Sequence, residues 1–287
     1  MRQLEQKIAI VTGASSGIGR VTAVSLAKAG VTVVLVARRE PLLQEVVEEC
    51  RNHAPESHYL AGDLGDKSFA QWIVTDTVER FGRIDILVNN AGMPVHQSLY
   101  EISTGEAETA LRVNFLSCLW TTFSAIPHML LQSEREAEGS VIVNVSSFAA
   151  TVTPTHETIY AATKSAMNGF SRGLWNDLAG SGIHCALVIP GPIDTEIWDK
   201  VDDEGAYRGK LYPAQLVADE ILTSIRTRRF EVTVPRRNPP LVAARLMAAL
   251  VPSLIRKGVA KMNPVSPQSL SNARARARKG QAMGVEQ

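Results

Sequence analysis

The chain predicts a doubly wound α/β fold, a parallel sheet with helices on both faces, and three observations carry that expectation. Short runs rich in Val, Ile and Leu alternate with longer amphipathic stretches along most of the 287 residues. Continuous apolar runs of strand length are what a sheet covered on both faces requires. A glycine-rich turn, Thr12-Gly13-Ala14-Ser15-Ser16-Gly17-Ile18-Gly19, stands between the first such run and the first amphipathic stretch. Gly30, Gly82 and the pair Gly180 and Gly182 fall where helices should stop, because the residue after a last helical turn often needs the left-handed conformation that glycine tolerates.

In order, buried strands are expected at 7–12, 31–37, 84–89, 141–146 and 184–189. The less apolar runs 59–63 and 230–234 suit the sheet edges. Helices are expected at 17–29, 41–53, 66–81, 105–131, 157–179 and 213–227. Strands alternating with helices make βαβ units. The expectation is one dinucleotide-binding and catalytic domain over 1–238, with a basic, partly helical extension over 239–287.

Hydrophobic content of 45% with 21% charged residues fits a soluble globular protein with a large core. The net charge of +1 conceals a division. From Arg226 onward there are thirteen Lys/Arg and two Glu, a balance of +11. The first 225 residues hold the other 17 basic and 27 acidic residues, a balance of −10. Cys50, Cys118 and Cys185 are odd in number and far apart, which argues against structural disulfides and zinc and for a reducing compartment. The polar start leaves no room for a signal peptide, and no apolar run reaches the ~20 residues of a membrane-spanning helix. A cytoplasmic location is expected.

The glycine turn suits a pyrophosphate, since glycines let the backbone approach a ligand and the following helix N-terminus offers free N–H groups and partial positive charge. Its spacing is Gly-x-x-x-Gly-x-Gly. The second strand ends Val36-Ala37-Arg38-Arg39, with no carboxylate before Glu40. An acidic residue at that place would accept from the ribose hydroxyls of NAD, whereas guanidinium groups pair with phosphate. NADP(H) is therefore expected over NAD(H), and a solvated arginine pair is the plain alternative.

Tyr160-Ala161-Ala162-Thr163-Lys164 places a phenol and an ammonium at i and i+4 on one helix face, with Ser147 at the end of the preceding apolar run. Alone the pattern also describes a half-buried tyrosine beside a solvated lysine. As chemistry it is a proton-transfer constellation. A tyrosine with an ordinary pKa near ~10 is a suitable donor but a poor base, and a neighbouring ammonium would lower it.

Taken together, the chain resembles the short-chain dehydrogenase/reductase family, in its short single-domain branch, over roughly 7–234. The motifs occur in the family's order: the glycine turn, Asp63-Leu64, Asn89-Asn90-Ala91-Gly92, Asn114, Ser147, Tyr160-x-x-x-Lys164 and Pro190-Gly191-Pro192-Ile193-x-Thr195. The resemblance implies a Rossmann-type domain and a catalytic tetrad of Asn114, Ser147, Tyr160 and Lys164. It implies cofactor contacts from Gly13, Ser15, Ser16, Gly17, Ile18 and Gly19. Arg38, with Arg39, would hold the 2′-phosphate. Asp63 would accept from the adenine amino group with Leu64 against the ring. Asn90, Ala91 and Gly92 would border the adenine ribose. The Ile193 backbone and Thr195 would hold the nicotinamide carboxamide and phosphate, and Pro190, Gly191, Tyr160 and Lys164 would also contact the cofactor. Asn114 would orient a water that relays protons to the lysine. The family also implies an alcohol, ketone or aldehyde substrate and assembly as a homodimer or homotetramer through the helices carrying Asn114 and Tyr160. A mild departure is Ser16, where some NADP-using members carry a basic residue.

Other polar residues are read as loop features: His96, Gln97, His156 and the acidic Asp202-Asp203-Glu204. The segment 196–211 falls where the family places a substrate lid, and Trp198, Val201, Tyr207 and Leu211 would make it apolar. Met93, Val95, Phe148 and Ala149 could face it across an apolar substrate. In the extension, 241–256 reads as an amphipathic basic helix interrupted at Pro252, with Arg245, Arg256 and Lys257 beside its apolar positions. Packing on its own domain or on a subunit neighbour is the favoured expectation, and capping the substrate site or lying on an anionic membrane surface are the alternatives. The stretch 272–279 reads as a disordered basic end. No aromatic stacking platform supports nucleic-acid binding. The rival functional reading is a dinucleotide-binding protein without turnover, a redox sensor or membrane-associated scaffold, against which the complete tetrad argues.

Overall fold

The computed structural model describes residues 3–134, 139–196, 209–262 and 264–278. It opens with β1 (Ile8–Thr12), α1 (Gly17–Lys28), β2 (Thr32–Ala37), α2 (Glu40–Arg51), β3 (His58–Ala61), α3 (Lys67–Phe81) and β4 (Ile86–Asn89). Next come α4 (Thr104–Leu111), a π-helical turn (Arg112–Leu116), α5 (Ser117–Ser133), β5 (Val141–Val145), α6 (Ala149–Val152), α7 (Thr158–Asp177) and β6 (His184–Pro190). A two-residue pair, β7 (Ile193–Asp194) and β8 (Tyr212–Pro213), precedes α8 (Ala214–Thr227) and β9 (Glu231–Val234). The chain then continues through α9 (Pro239–Leu250), α10 (Pro252–Met262) and α11 (Pro267–Arg278).

The main sheet runs β3-β2-β1-β4-β5-β6-β9, and every neighbouring pair is parallel. Every residue of β1, β4, β5 and β6 is buried, as a sheet covered on both sides demands. Alternate strand residues face opposite layers. Ala9, Val11, Val33 and Leu35 pack with Leu26, Leu43 and Ile221 from α1, α2 and α8. Ile10, Val34, Leu87 and Ile142 pack with Ile73, Met129 and Leu174 from α3, α5 and α7. The two weakest runs, β3 and β9, sit at the edges as their composition predicts. The strand order reverses between β1 and β4, which opens a crevice at their carboxyl ends.

A buried polar network fastens the layers where that crevice begins. Asn89 of β4 and Asn144 of β5 face each other in register, Nδ2 of Asn89 donating to Oδ1 of Asn144 at 2.9 Å. Thr121 of α5 donates to Asn89 Oδ1 at 2.7 Å, and Asn144 donates to Ser171 of α7 at 2.9 Å. Burying amides is tolerable here because their donors and acceptors are matched. Removing one member strands the others, each at about 1–3 kcal/mol. Asn144→Ala should therefore cost on the order of 3 kcal/mol in a urea unfolding series, well beyond an ordinary surface change. A loss within about 0.5 kcal/mol would show that the network does not bind the layers.

Two expectations are corrected. The helix expected over 105–131 is divided. Ser103 and Glu106 form a reciprocal capping box that starts α4, and the Ser117 N–H then reaches back to the Arg112 carbonyl, five residues away, making the π turn. The basic helix over 241–256 is interrupted as expected: it ends at Leu250, because Pro252 cannot continue it and instead opens α10. Residues 272–278, expected as a disordered end, belong to helix α11. Trp198, Val201, Tyr207 and the Asp202–Glu204 cluster lie outside the described residues. No helix among the described residues is long and apolar enough to cross a membrane.

Candidate active site

The glycine turn and the end of β4 are locked together at the crevice. Thr12 Oγ1 accepts from the backbone N–H groups of Asn90 and Ala91 at 2.9 and 3.0 Å. Asn90 Nδ2 donates back to the Thr12 carbonyl at 3.0 Å. Gly13 has φ of +67°, and a β-carbon there would lie 2.9 Å from the Ala91 Cα. A β-carbon on Gly19 would lie 2.2 Å from the Gly13 carbonyl oxygen. The chain therefore needs glycine at both places to form this hollow. Ser16, the residue before α1, does not cap that helix with its side chain. Its hydroxyl instead accepts from Arg39 at 2.6 Å, and Arg39 also reaches Glu196 at 2.9 Å. Arg38 is exposed and makes no ion pair among the described residues.

Asn114 sits in the π turn and is fully buried. Its Oδ1 accepts from the Met93 N–H at 2.7 Å, while its Nδ2 donates to the Met93 carbonyl at 3.1 Å and to Thr163 Oγ1 at 3.3 Å. Thr163 lies between Tyr160 and Lys164 on α7, so the amide ties the π turn to α7. Lys164 is buried, with Nζ donating to the Val145 carbonyl at 3.0 Å and standing 6.0 Å from the centre of the Tyr160 ring. Gly92 passes beside both: a β-carbon on it would lie 3.5 Å from Asn114 Oδ1 and from Lys164 Nζ. Ser147 hydrogen-bonds the Tyr160 phenol.

Burial raises the Tyr160 phenol to about 12, against the pull of the Ser147 hydrogen bond, and Glu157 adds to the rise. This corrects the expectation that the Lys164 ammonium draws the phenol down. Desolvation of the neutral-preferring phenol is the largest cause, and Lys164 is itself lowered by burial to about 8, opposed by Cys118. Unfolding restores the amine to its ordinary value of 10.5, so between about 8 and 10.5 the unfolded chain binds more protons than the folded one. The burden of charging Lys164 is thus fully present below about 8 and is relieved as pH rises toward 10.5. Relative to Lys164→Met, the wild type should gain about 2 kcal/mol between about pH 7 and pH 9.5 in denaturant titrations. Parallel pH responses of the two proteins would refute a buried titrating amine.

A cleft with about 700 Å³ of empty space joins these parts, lined by Gly13, Ser16, Gly17, Ile18, Asn90, Gly92, Tyr160, Lys164 and Thr195. Pro94, Val145, Ser146 and Glu196 line it as well; the first three were not assigned from sequence, and Glu196 opens the segment 196–211 expected as a substrate lid. Thr12 was also missed, although its place directly before Gly13 at a strand end was a readable signal. The remaining assigned residues do not line this cleft. Ser15 is buried at the turn, and Ala91 is buried behind Gly13. Asp63 is exposed and accepts from the Gly65 N–H at 2.9 Å. Leu64 is buried in the core against α3. Pro190 accepts from the Phe148 N–H at 2.7 Å, Gly191 donates to the Val234 carbonyl at 2.7 Å, and Ile193 is buried on β7.

Comparison with known proteins agrees with this geometry. Residues 7–205 match the family model described as short chain dehydrogenase. An uncharacterized oxidoreductase of Staphylococcus saprophyticus is 34% identical over 219 residues, covering 75% of this chain and 90% of that protein. A short-chain dehydrogenase/reductase of Burkholderia phymatum in complex with NAD superposes with a TM-score of 0.79 at 26% identity, over 93% of this chain and 99% of that one. A short chain dehydrogenase of Burkholderia cenocepacia in complex with NADP gives a TM-score of 0.72 at 28% identity, over 81% and 98%. The chain belongs to the short-chain dehydrogenase/reductase family and is an oxidoreductase of that family.

Proposed function

We propose that the protein transfers a hydride between NADP(H) and an alcohol or carbonyl group on an apolar substrate, with Tyr160 as the proton donor and acceptor. The observation that carries this reading is the single cleft shared by the glycine turn, Asn90 and Gly92, the Tyr160–Lys164 pair and Thr195. The hollow at Gly13 and Gly19, which a β-carbon would fill, fits a pyrophosphate approached by backbone. When bound, the dinucleotide supplies or accepts the hydride. Tyr160 gives its proton to the oxygen of the carbonyl being reduced, and Ser147 holds that oxygen by a hydrogen bond. A phenol raised to about 12 is protonated at neutral pH and thus ready to donate. Asn114 keeps the Met93 backbone and Thr163 in place beside these groups. Met93 and Val95 pack with Tyr160, and Phe148 packs with Leu187 and Ile189, giving apolar surroundings that suit an apolar substrate.

The choice of NADP rests on Arg38. Arg39 is engaged by Ser16 and Glu196, which leaves the exposed Arg38 guanidinium available to a 2′-phosphate. Arg38→Ala should weaken NADPH binding by about tenfold or more, in line with one lost charge-assisted contact, and leave NADH binding nearly unchanged. Equal losses for both cofactors, measured by fluorescence titration, would refute the phosphate role. The reaction itself is tested by the loss of NADPH absorbance against a panel of apolar ketones and aldehydes, where absence of any turnover would favour a binding protein without chemistry. The exposed Phe123, Leu131 and Trp175 on α5 and α7 support assembly through those helices as a homodimer or homotetramer.

A further inference from the structure

We propose that α9 and α10 form a docking face for an anionic lipid bilayer, on which the protein lies without crossing. α9 is apolar around its whole circumference apart from Arg245, yet it is not buried. Leu241 and Ala244 pack inward on the cluster of Phe148, Leu187 and Ile189. The opposite side exposes Val242, Leu246 and Leu250, and the exposed apolar surface continues through Val251 into Leu254 of α10. Leu250 is 77% exposed and Leu246 55%, far beyond what a side chain covered by its own domain would show. A helix apolar on all sides belongs in a core or at a lipid surface, and a contiguous exposed patch of this kind marks an interaction surface.

Charge selects the partner. From Val232 to Val285 there is no Asp or Glu, whereas the same stretch carries ten Lys/Arg. On α10, Arg256, Lys257 and Lys261 are exposed beside Leu254 and make no ion pair among the described residues. An apolar stripe flanked by unpaired basic side chains, on helices of 12 and 11 residues, fits the plane of an anionic lipid–water boundary. A second copy meeting this face by the same face would set like charges against each other, because an isologous contact pairs a patch with itself. The stretch 239–278 also lacks any aromatic residue on which a nucleic-acid base could stack.

The position of the face gives docking a consequence for the reaction, and this clause rests on the function proposed above. Leu241 of α9 lies against Gly191, and α10 packs on α6, which begins two residues after Ser147. The bilayer would then adjoin the substrate side of the cleft, and a lipophilic alcohol or ketone dissolved in it would have a short path to Tyr160.

The test is sedimentation of the full chain with vesicles of phosphatidylcholine alone and of equal parts phosphatidylcholine and phosphatidylglycerol, without substrate. The wild type should pellet with the anionic vesicles only and should be released by high salt. Leu246→Glu combined with Leu250→Glu, and separately Arg256→Glu combined with Lys257→Glu, should each lower the bound fraction by about tenfold or more while retaining cofactor binding and elution volume. Failure of the wild type to pellet would overturn the proposal, as would unchanged pelleting of both variants. If the leucine variant alters the elution volume but not the pelleting, the face is covered by a second copy and the lipid proposal fails. Because no turnover is measured, a protein that pellets but reduces no carbonyl would leave docking intact and refute only the redox reading.

Discussion

Tyr160→Phe should reduce carbonyl turnover by roughly 10²- to 10⁴-fold, the range expected when a positioned proton donor is removed, while NADPH binding changes little. The substitution deletes one oxygen and keeps the ring that packs with Met93, Val95 and Ile159. Ser147 loses its phenol partner but still accepts from the Ala149 N–H at 3.2 Å. Stability should therefore hold while kcat falls. Single-turnover kinetics against an apolar ketone separates the two quantities. Retention of wild-type turnover by the phenylalanine variant would end the case for tyrosine as proton donor.

Gly19→Ala should be the most damaging single change in the cofactor hollow. Its methyl group would lie 2.2 Å from the Gly13 carbonyl oxygen and 2.6 Å from Asn90 Nδ2, and the first of these is backbone that cannot swing aside. The turn must open, which breaks the Asn90 donation to the Thr12 carbonyl. Cofactor affinity should fall by about a hundredfold or more, and stability by about 1–3 kcal/mol from overpacking. Gly105→Ala is the matched control. Nothing lies within 4 Å of its added methyl, so it should stay within about 0.5 kcal/mol of wild type. Isothermal titration of the dinucleotide with both variants decides the matter, and comparable affinities would refute close backbone approach at Gly19.

Both substitutions fall on features that were legible before any coordinates, and the reason is local. The glycine turn joins a strand to a helix within eight residues, and Tyr160 and Lys164 share a face because helical periodicity demands it. The edge positions of β3 and β9 followed from their weaker apolar content. What sequence concealed was set by contacts between distant segments. The π turn at Arg112–Leu116 leaves no mark in an apolar period, yet it places Asn114 against the Met93 backbone 21 residues away. The engagement of Arg39 depends on Glu196, 157 residues beyond it. The direction of the Tyr160 shift depended on how deeply the phenol is enclosed, which spacing along a helix does not specify.

The helix α11 also bears on the order in which this protein reaches its working form. Ser269 donates to Glu101, and Arg276 donates to the Tyr100 carbonyl at 2.8 Å. Hydrogen bonds from Ser269 and Ser98 hold the Glu101 carboxyl below its ordinary value. The strap pinned in this way is the one that begins at Met93, the partner of Asn114. During synthesis the sheet can assemble N-terminal part first, but the outer clamp of this strap arrives 168 residues after Glu101. A ribosome that stops before Ser269 would release a chain with its sheet complete and the segment at Tyr100 and Glu101 unfastened. Pinning of this segment therefore waits until α11 has left the exit tunnel.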